Sequence, residues 1–419
     1  MPQNSIDYTN VATLKNYEKA LKENYLPVWR NSLSTEPSPL LGKIKKVPLK
    51  SNKIVATAPF GLSGGFGFGA EGQATPKAGN VKHNRFETDA KDMYVNIAIS
   101  AKSVRLTGSA GAMANALDTE VKAAYETAKW NVGRALFGNG SGILAKCNAV
   151  TNGKVITLKT EEDGVTLPDP TKFMKEGLII DVYDKSAVKP DESVPQSAGK
   201  GLRILAVDRV NKTITIAGDD VTLTEGFITV QNSYGKEITG LGAIFDDSID
   251  TIYGVSKAEN PYLKPTVIDA HDDISDSLFW DAVENAETYK NSKIDTFLLG
   301  KDAYKHYIEY LRTNNVRVEA ISKEITGGFK SIKYAFGNRE IDIVYDQFVP
   351  NDEAWGFESS TLELHTQEWD FADLQGGGIF NLMEGSSIYR ALLANYGNLI
   401  CTNPGGCVRL TKCGAYEQN

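Results

Sequence analysis

Between residues 61 and 86 the chain reads GLSGGFGFGAEGQATPKAGNVKHNRF, with seven glycines and only two aliphatic residues, Leu62 and Val81. Glycine loses more backbone freedom on ordering than any other residue, and two aliphatic side chains cannot offset that loss by burial. The segment therefore builds no core of its own. Strand signals flank it: Lys53 to Phe60 on one side, and Asp92 to Ser100 on the other, where Met93, Val95, Ile97 and Ile99 alternate with Tyr94, Asn96 and Ala98. Together they predict one long two-stranded ribbon with a glycine-rich tip. An isolated ribbon is marginal in water, so this one must lie against another surface, such as a second subunit.

A chain of 419 residues exceeds one ordinary core and predicts two or three packed units. Apolar residues at 41% and charged residues at 23% exclude a fibrous or wholly disordered protein. No apolar run reaches the roughly 18 to 20 residues of a bilayer span, and MPQNSIDYTN lacks the basic and apolar regions of a signal peptide. The four cysteines, Cys147 and the evenly spaced Cys401, Cys407 and Cys413, are too few for a disulfide framework and imply thiols in a reducing interior.

A net charge of −8 and a pI near 5.3 argue against a dedicated nucleic-acid binder. The charge is uneven. Residues 1–53 hold nine Lys and Arg against four acids, so a basic arm precedes an acidic body.

Along the chain, Val11, Leu14, Leu21 and Tyr25 predict a short amphipathic helix over 11–25, and the prolines of 32–53 predict an extended arm. Residues 111–137 carry the strongest helical pattern, a stripe of Met113, Leu117, Val121, Ala124, Ala128, Val132 and Leu136, with Gly138 as the stop. Such a helix is roughly 40 Å long, a strut rather than an ordinary domain helix. Short strands follow at 155–159, 177–184, 202–208, 213–218 and 227–231, which predict a small β-barrel or sandwich. Helices are expected at 274–290, capped by Asp272 and Asp273, and at 301–314, with strands at 294–299 and 340–345 and strand-like runs over 360–412. The fold class is α+β.

No constellation of residues supports an enzyme. Gly61-Leu62-Ser63-Gly64-Gly65 matches the nucleophile elbow and Gly67 to Gly72 matches G-x-G-x-x-G, but both need a helix immediately after, and GFGFGAEGQATPKAG cannot form one. His271, Asp273 and His365 outline a two-histidine, one-carboxylate metal site, for which helix capping is the better explanation. The three C-terminal cysteines lack the close pairs of zinc sites. Glu284 with Glu287, and Asp370 with Asp373, read as a solvated helix face and a loop.

The order of parts resembles the major capsid proteins of tailed bacteriophages, the Hong Kong 97-like coat fold. The resemblance is carried by RALFGNGSGILA after the long helix, EITGLGAIFD at 237–246, IYGVSKAENPYLKP at 252–265, GGFKSIKYAFGNREIDIVYDQFVP at 327–350 and NLICTNPGGCVRL near the end. It implies an N-terminal arm at 1–50, an extended loop at 51–100, a peripheral domain at 101–150 with a spine helix at 109–138, a β-rich inserted subdomain at 151–236, an axial domain at 237–345, and a return to the axial and peripheral domains at 346–419. It further implies hexamers and pentamers that tile an icosahedral shell around double-stranded DNA in the virion head, assembled in the bacterial host cytoplasm. The DNA contact would be weak and non-specific, with a scaffolding protein, a portal and a decoration protein as further partners. The inter-subunit tip would comprise Gly64, Gly65, Phe66, Gly67, Phe68, Gly69, Glu71, Lys77, Lys82 and Arg85, and the basic arm Lys43, Lys45, Lys46 and Lys50. No catalytic, cofactor-binding or metal residue is implied. A bacterial nanocompartment shell of the same fold is the alternative, and a soluble hydrolase using Ser63 the remote one.

Overall fold

The fold, taken from a computed structural model, is described for residues 21–60, 65–72, 77, 79, 82–100, 110–162, 165–185, 196–272, 274–313, 332–372, 379–383 and 385–414. It is α+β, built on two six-stranded sheets interleaved in sequence, with a separate β-rich body inserted after the long helix. Most of the helix expected over 11–25 lies outside the described residues; its end, Leu21–Tyr25, is a wide π-type turn leading into the helix Leu26–Thr35.

The first sheet is organised by one long strand, Ile388–Cys401. Along one edge it pairs with Lys91–Ser100, from Ile388↔Ser100 to Gly397↔Lys91. Its other edge takes Leu362–Thr366, Asp370–Phe371 and Asn381–Leu382 in turn, and the arm strand Lys45–Pro48 adds in parallel to Leu362–Thr366. The long helix Ala110–Ala135 and the arm helix Leu26–Thr35 pack on this sheet, burying Trp29, Leu33, Val121 and Ala128 against Ile97, Phe371, Ala391 and Leu393. The helical stripe is thus real from Val121 onward. The side chains of Met113 and Leu117 lie outside the described residues.

The second sheet runs Thr266–Asp269, Val408–Thr411, Ala354–Phe357, Thr296–Leu299, Arg339–Tyr345 and Ile332–Phe336. Two neighbouring inner strands, Ala354–Phe357 and Thr296–Leu299, are buried along their whole length, which explains their largely apolar text. Phe297, Leu299, Ile341 and Ile343 point to one core with Phe279, Val283 and Tyr307 of the helices Asp276–Lys290 and Lys301–Thr313. Leu298, Val344, Trp355 and Phe357 point the other way, into a central core shared with Leu362, Leu364, Leu399 and Ile400 of the first sheet. The expected cap Asp272 does not cap: the helix begins beyond Ser275, whose own side chain makes no cap bond, and Asp272 adopts φ 63°. Asp273 lies outside the described residues.

The inserted body has its own core of Ile156, Ile180, Val182, Ile204, Ile214 and Ile228 under an antiparallel sheet. The sheet starts earlier than the expected 151, because Ile143–Cys147 pairs with Gly226–Val230. The body leaves and returns at one place, where the Gly235 amide donates to Ser141 O at 2.8 Å. The returning chain is laid on the carbonyl end of the long helix, with the Leu241 amide donating to Leu136 O at 2.8 Å. Only glycine fits this approach, since a Cβ at Gly240 would stand 2.3 Å from Leu136 O and one at Gly242 2.5 Å from Phe137 O.

Beside them Arg134, buried, and Glu237, with its side chain 9% exposed, form a two-pronged ion pair at 2.9 and 2.6 Å. Removing one partner strands the other charge without water, at a cost of about 3–5 kcal/mol. Arg134→Leu is therefore expected to lower unfolding stability by that amount in urea titrations, and Arg134→Leu with Glu237→Leu to recover most of it. A loss below about 1 kcal/mol in the single variant would show that the pair does not hold the helix end.

Candidate assembly surface

The ribbon is real but differently paired from the sequence expectation. Lys53–Phe60 pairs antiparallel with Lys82–Asp89, from Lys53↔Asp89 to Phe60↔Lys82, while Lys91–Ser100 belongs to the first sheet. Lys82–Asp89 reads KHNRFETD, with Phe86 its one apolar residue, so it shows no alternation for sequence reading to detect. The alternating text at 93–99 marks a strand with a core beneath it, and Ile97 is buried there.

The root of the ribbon is fixed to its own subunit. Ile54, Ala58 and Phe86 are buried in the central core, Phe86 lies against Tyr253 with ring centroids 5.6 Å apart, and the Glu87 amide donates to Tyr253 O at 2.9 Å. Glu87 also pairs with Lys53 and, at 2.6 Å, with Arg85. The hydrogen bond from Lys53 above all holds the Glu87 carboxyl below its usual range. Arg85 therefore belongs to the root and not to the tip.

Beyond the root the described tip residues Gly65–Gly72 and Lys77 are all exposed. Phe66 and Phe68 are 79% and 97% exposed, in edge-to-face contact with each other at 5.3 Å and with no deeper layer beneath. Covering each ring gains about 2–3 kcal/mol. Gly64 and Ser63 lie outside the described residues, and Lys82 is a strand residue opposite Phe60.

The basic arm is bound in part within the chain. Lys43 pairs with Asp342, and Lys45 with Glu363 at 2.6 Å. Arg30 donates to Trp369 O at 2.7 Å and pairs with Glu368 and Asp370 at 3.2 Å. Only Lys46 and Lys50 of the four expected arm residues stay exposed without an ion pair among the described residues.

The arm is also fastened at Asp346, which sequence reading did not single out. Ser38 caps the arm's second helix, Pro39–Lys43, by accepting from the Leu40 amide at 3.1 Å, and its hydroxyl donates to Asp346 Oδ2; the Phe348 amide donates to Oδ1 at 2.9 Å. Lys172 of the inserted body reaches the same loop, donating to Val349 O and, at 2.9 Å, to Asn351 Oδ1. Burial pushes the Asp346 carboxyl up to about 6 against those two hydrogen bonds and the nearby Lys172 charge. Burial likewise draws Lys172 down to about 8, opposed by Asp346, Asp169, Asp302 and Glu353.

The other sequence candidates do not converge. His271 follows the second sheet's edge strand and faces Asp269, whereas His365 lies in the first sheet beside Glu363. Among the described residues no three His, Cys, Asp or Glu side chains group as a metal site. Glu287 pairs with Arg339 at 2.5 Å, Asp370 with Arg30, and Asp373 lies outside the described residues. Among the described residues no helix is long and apolar enough to cross a membrane.

No protein-family model and no curated protein matches the chain. Solved structures do. A chain of the cyanophage A-1(L) capsid asymmetric unit is similar over 90% of this chain and 93% of its own, at 11% identity and a TM-score of 0.49. The capsid of the native GTA particle is similar over 91% and 90%, at 7% identity and a TM-score of 0.46. The satellite phage P4 procapsid that includes the size determination protein is similar over 92% and 97%, at 11% identity and a TM-score of 0.40.

The raised pKa of Asp346 sets a sign for pH dependence. Its folded value of about 6 lies above the ordinary 3.8, so the folded state favours the protonated acid. Well below pH 4 the group is neutral in both states, and as pH rises through the unfolded value to about 6 its ionisation opposes folding by roughly 2–3 kcal/mol. Asp346→Asn lacks this slope. Its stability relative to the parent chain should rise by that amount between about pH 4 and pH 6.5 in urea titrations, and a flat difference would show that Asp346 ionises as an exposed acid.

Proposed function

We propose that this chain is the major capsid protein of a tailed bacteriophage, assembling as hexamers and pentamers into the icosahedral head that encloses double-stranded DNA. The observation that carries this reading is the contrast along one ribbon. Its root is bonded into the subunit's own core, while its glycine-rich tip holds Phe66 and Phe68 in water. Exposed paired rings at the end of a held lever suit a neighbouring surface, and a shell supplies one to every copy. Gly65, Gly67 and Gly69 leave the tip backbone free to fit that surface.

The cis-bound arm fits the same work. With Lys43 and Lys45 paired inside a chain of net charge −8, those cations are not offered to phosphate, and a wall that does not grip phosphate lets a duplex be packed and released. On this reading the chain works in the virion head after assembly in the host cytoplasm, as a structural subunit rather than a catalyst. A scaffolding protein, a portal and decoration proteins are its natural partners.

The test is assembly. Phe66→Ser with Phe68→Ser should leave the unfolding midpoint of the subunit within about 0.5 kcal/mol of the parent, because neither ring touches its core. Closed particles several hundred Å across, formed by the parent chain expressed with its neighbouring genes and seen by negative-stain microscopy, should be lost or need a much higher subunit concentration. Closed particles from the double variant at the parent's concentration would remove the tip from the interface. A parent chain that stays a discrete monomer or dimer would overturn the reading itself.

A further inference from the structure

Two of the four buried thiols stand together. Cys401 is the last residue of the first sheet's long strand, and Cys407 directly precedes Val408–Thr411 of the second sheet. The crossing between them, Thr402 to Gly406, is a short turn with the Cys407 amide bonded back to Pro404 O at 3.2 Å. Their sulfurs are 4.0 Å apart, at 0% and 1% exposure, within the central core that joins the sheets. Cys401 Sγ also lies 3.8 Å from Thr361 Oγ1, and Cys407 Sγ 3.9 Å from Asn403 O. The distance is a contact between thiols, about 2 Å longer than a disulfide, and side-chain rotation is the movement that closes it.

The two thiols are not equivalent. Burial is the largest influence on Cys401 and opposes its ionisation, but the hydrogen bonds from Cys407, the Asn403 backbone and Thr361 together outweigh it and hold that thiol below its usual range; the Cys401 bond, with burial, pushes Cys407 up. Cys147 and Cys413 have no such neighbour bonded to them, and burial pushes each up to about 12. The pair therefore has a nucleophile and a resolving thiol already in contact, whereas the other two cysteines are inert.

We infer that Cys401 and Cys407 form a peroxide-oxidisable pair that closes to an intrachain disulfide across the crossing between the two sheets. The Cys401 thiolate attacks one oxygen of hydrogen peroxide; the O–O bond breaks, an S–O bond forms, and hydroxide leaves with the proton that Cys401 gave up, as water. The Cys407 sulfur then attacks the sulfenic sulfur, the S–S bond forms as the S–O bond breaks, and a second water departs with the Cys407 proton. Two thiols and one peroxide become one disulfide and two waters, so peroxide is reduced and the pair oxidised. Peroxide is little larger than water and reaches a buried pair on brief opening of the turn. With the resolving sulfur in contact, closure outruns a second oxidation of Cys401.

The test uses the full-length chain, reduced and then exposed to millimolar hydrogen peroxide for hours, quenched, unfolded and alkylated. The expected result is two alkylatable thiols instead of four, with Cys401 and Cys407 joined in a non-reducing peptide map. Cys407→Ser should stop at the sulfenic acid and take up dimedone on Cys401, while Cys401→Ser should take up none. Four alkylatable thiols after treatment, a disulfide through Cys147 or Cys413, or dimedone uptake by Cys401→Ser at Cys407 would overturn the inference. The parent chain's peptide map decides the matter even where a variant fails to fold.

Discussion

The carbonyl end of the long helix is the point on which the rest of the fold depends. The chain leaves it through Gly138 to Gly142, builds an entire β-rich body, and returns to lie on the same carbonyls at Gly240 to Gly242. Arg134 and Glu237 clamp that return from the side. Because departure and return share one locus, the inserted body keeps a core of its own and touches the central core at Phe173. Lys172 of that body reaches back to the Val349–Asn351 loop by hydrogen bonds, and it meets there the loop that also fastens the arm.

Much of this was legible in the text. The long helix could be read because its stripe has one face against a sheet, and the strands of the inserted body because Ile180, Val182, Ile204, Ile214 and Ile216 alternate with polar neighbours or sit in short apolar runs. RALFGNGSG and EITGLGAIFD could be quoted separately as telling texts; their meeting at the helix end is the reason that both are glycine-rich. What was not legible shares one cause. Lys82–Asp89 is a strand by pairing and by the burial of Phe86 alone, so no periodicity announces it. The partners of Lys43 and Lys45 stand roughly 300 residues further on, beyond the reach of any local pattern. Asp346 and Lys172 owe their altered acidity to burial beside elements remote in sequence, and a lone Asp or Lys carries no mark of that.

The arm shows how a charge bias in sequence misleads when read as a surface. A surplus of positive charge marks the N-terminal arm as basic, yet Lys43, Lys45 and Arg30 settle on acids of the same chain. Exposed pairs of this kind contribute little each. The buried anchor at Ser38 and Asp346 and the packing of Trp29 and Leu33 do more to hold the arm, and they are the parts that composition does not reveal.

On the proposed reading, in which the ribbon tip docks on a neighbouring copy, its two rings also set a tempo for assembly. A contact worth only a few kcal/mol per tip breaks and reforms quickly, so a subunit joined at a wrong angle leaves before its neighbours trap it. Closure around a ring multiplies the same small term by the number of tips engaged, which converts a reversible grip into a lasting one only when every copy is in place. Proofreading of the growing surface would then reside in the weakness of Phe66 and Phe68 as a single contact, and permanence in their repetition.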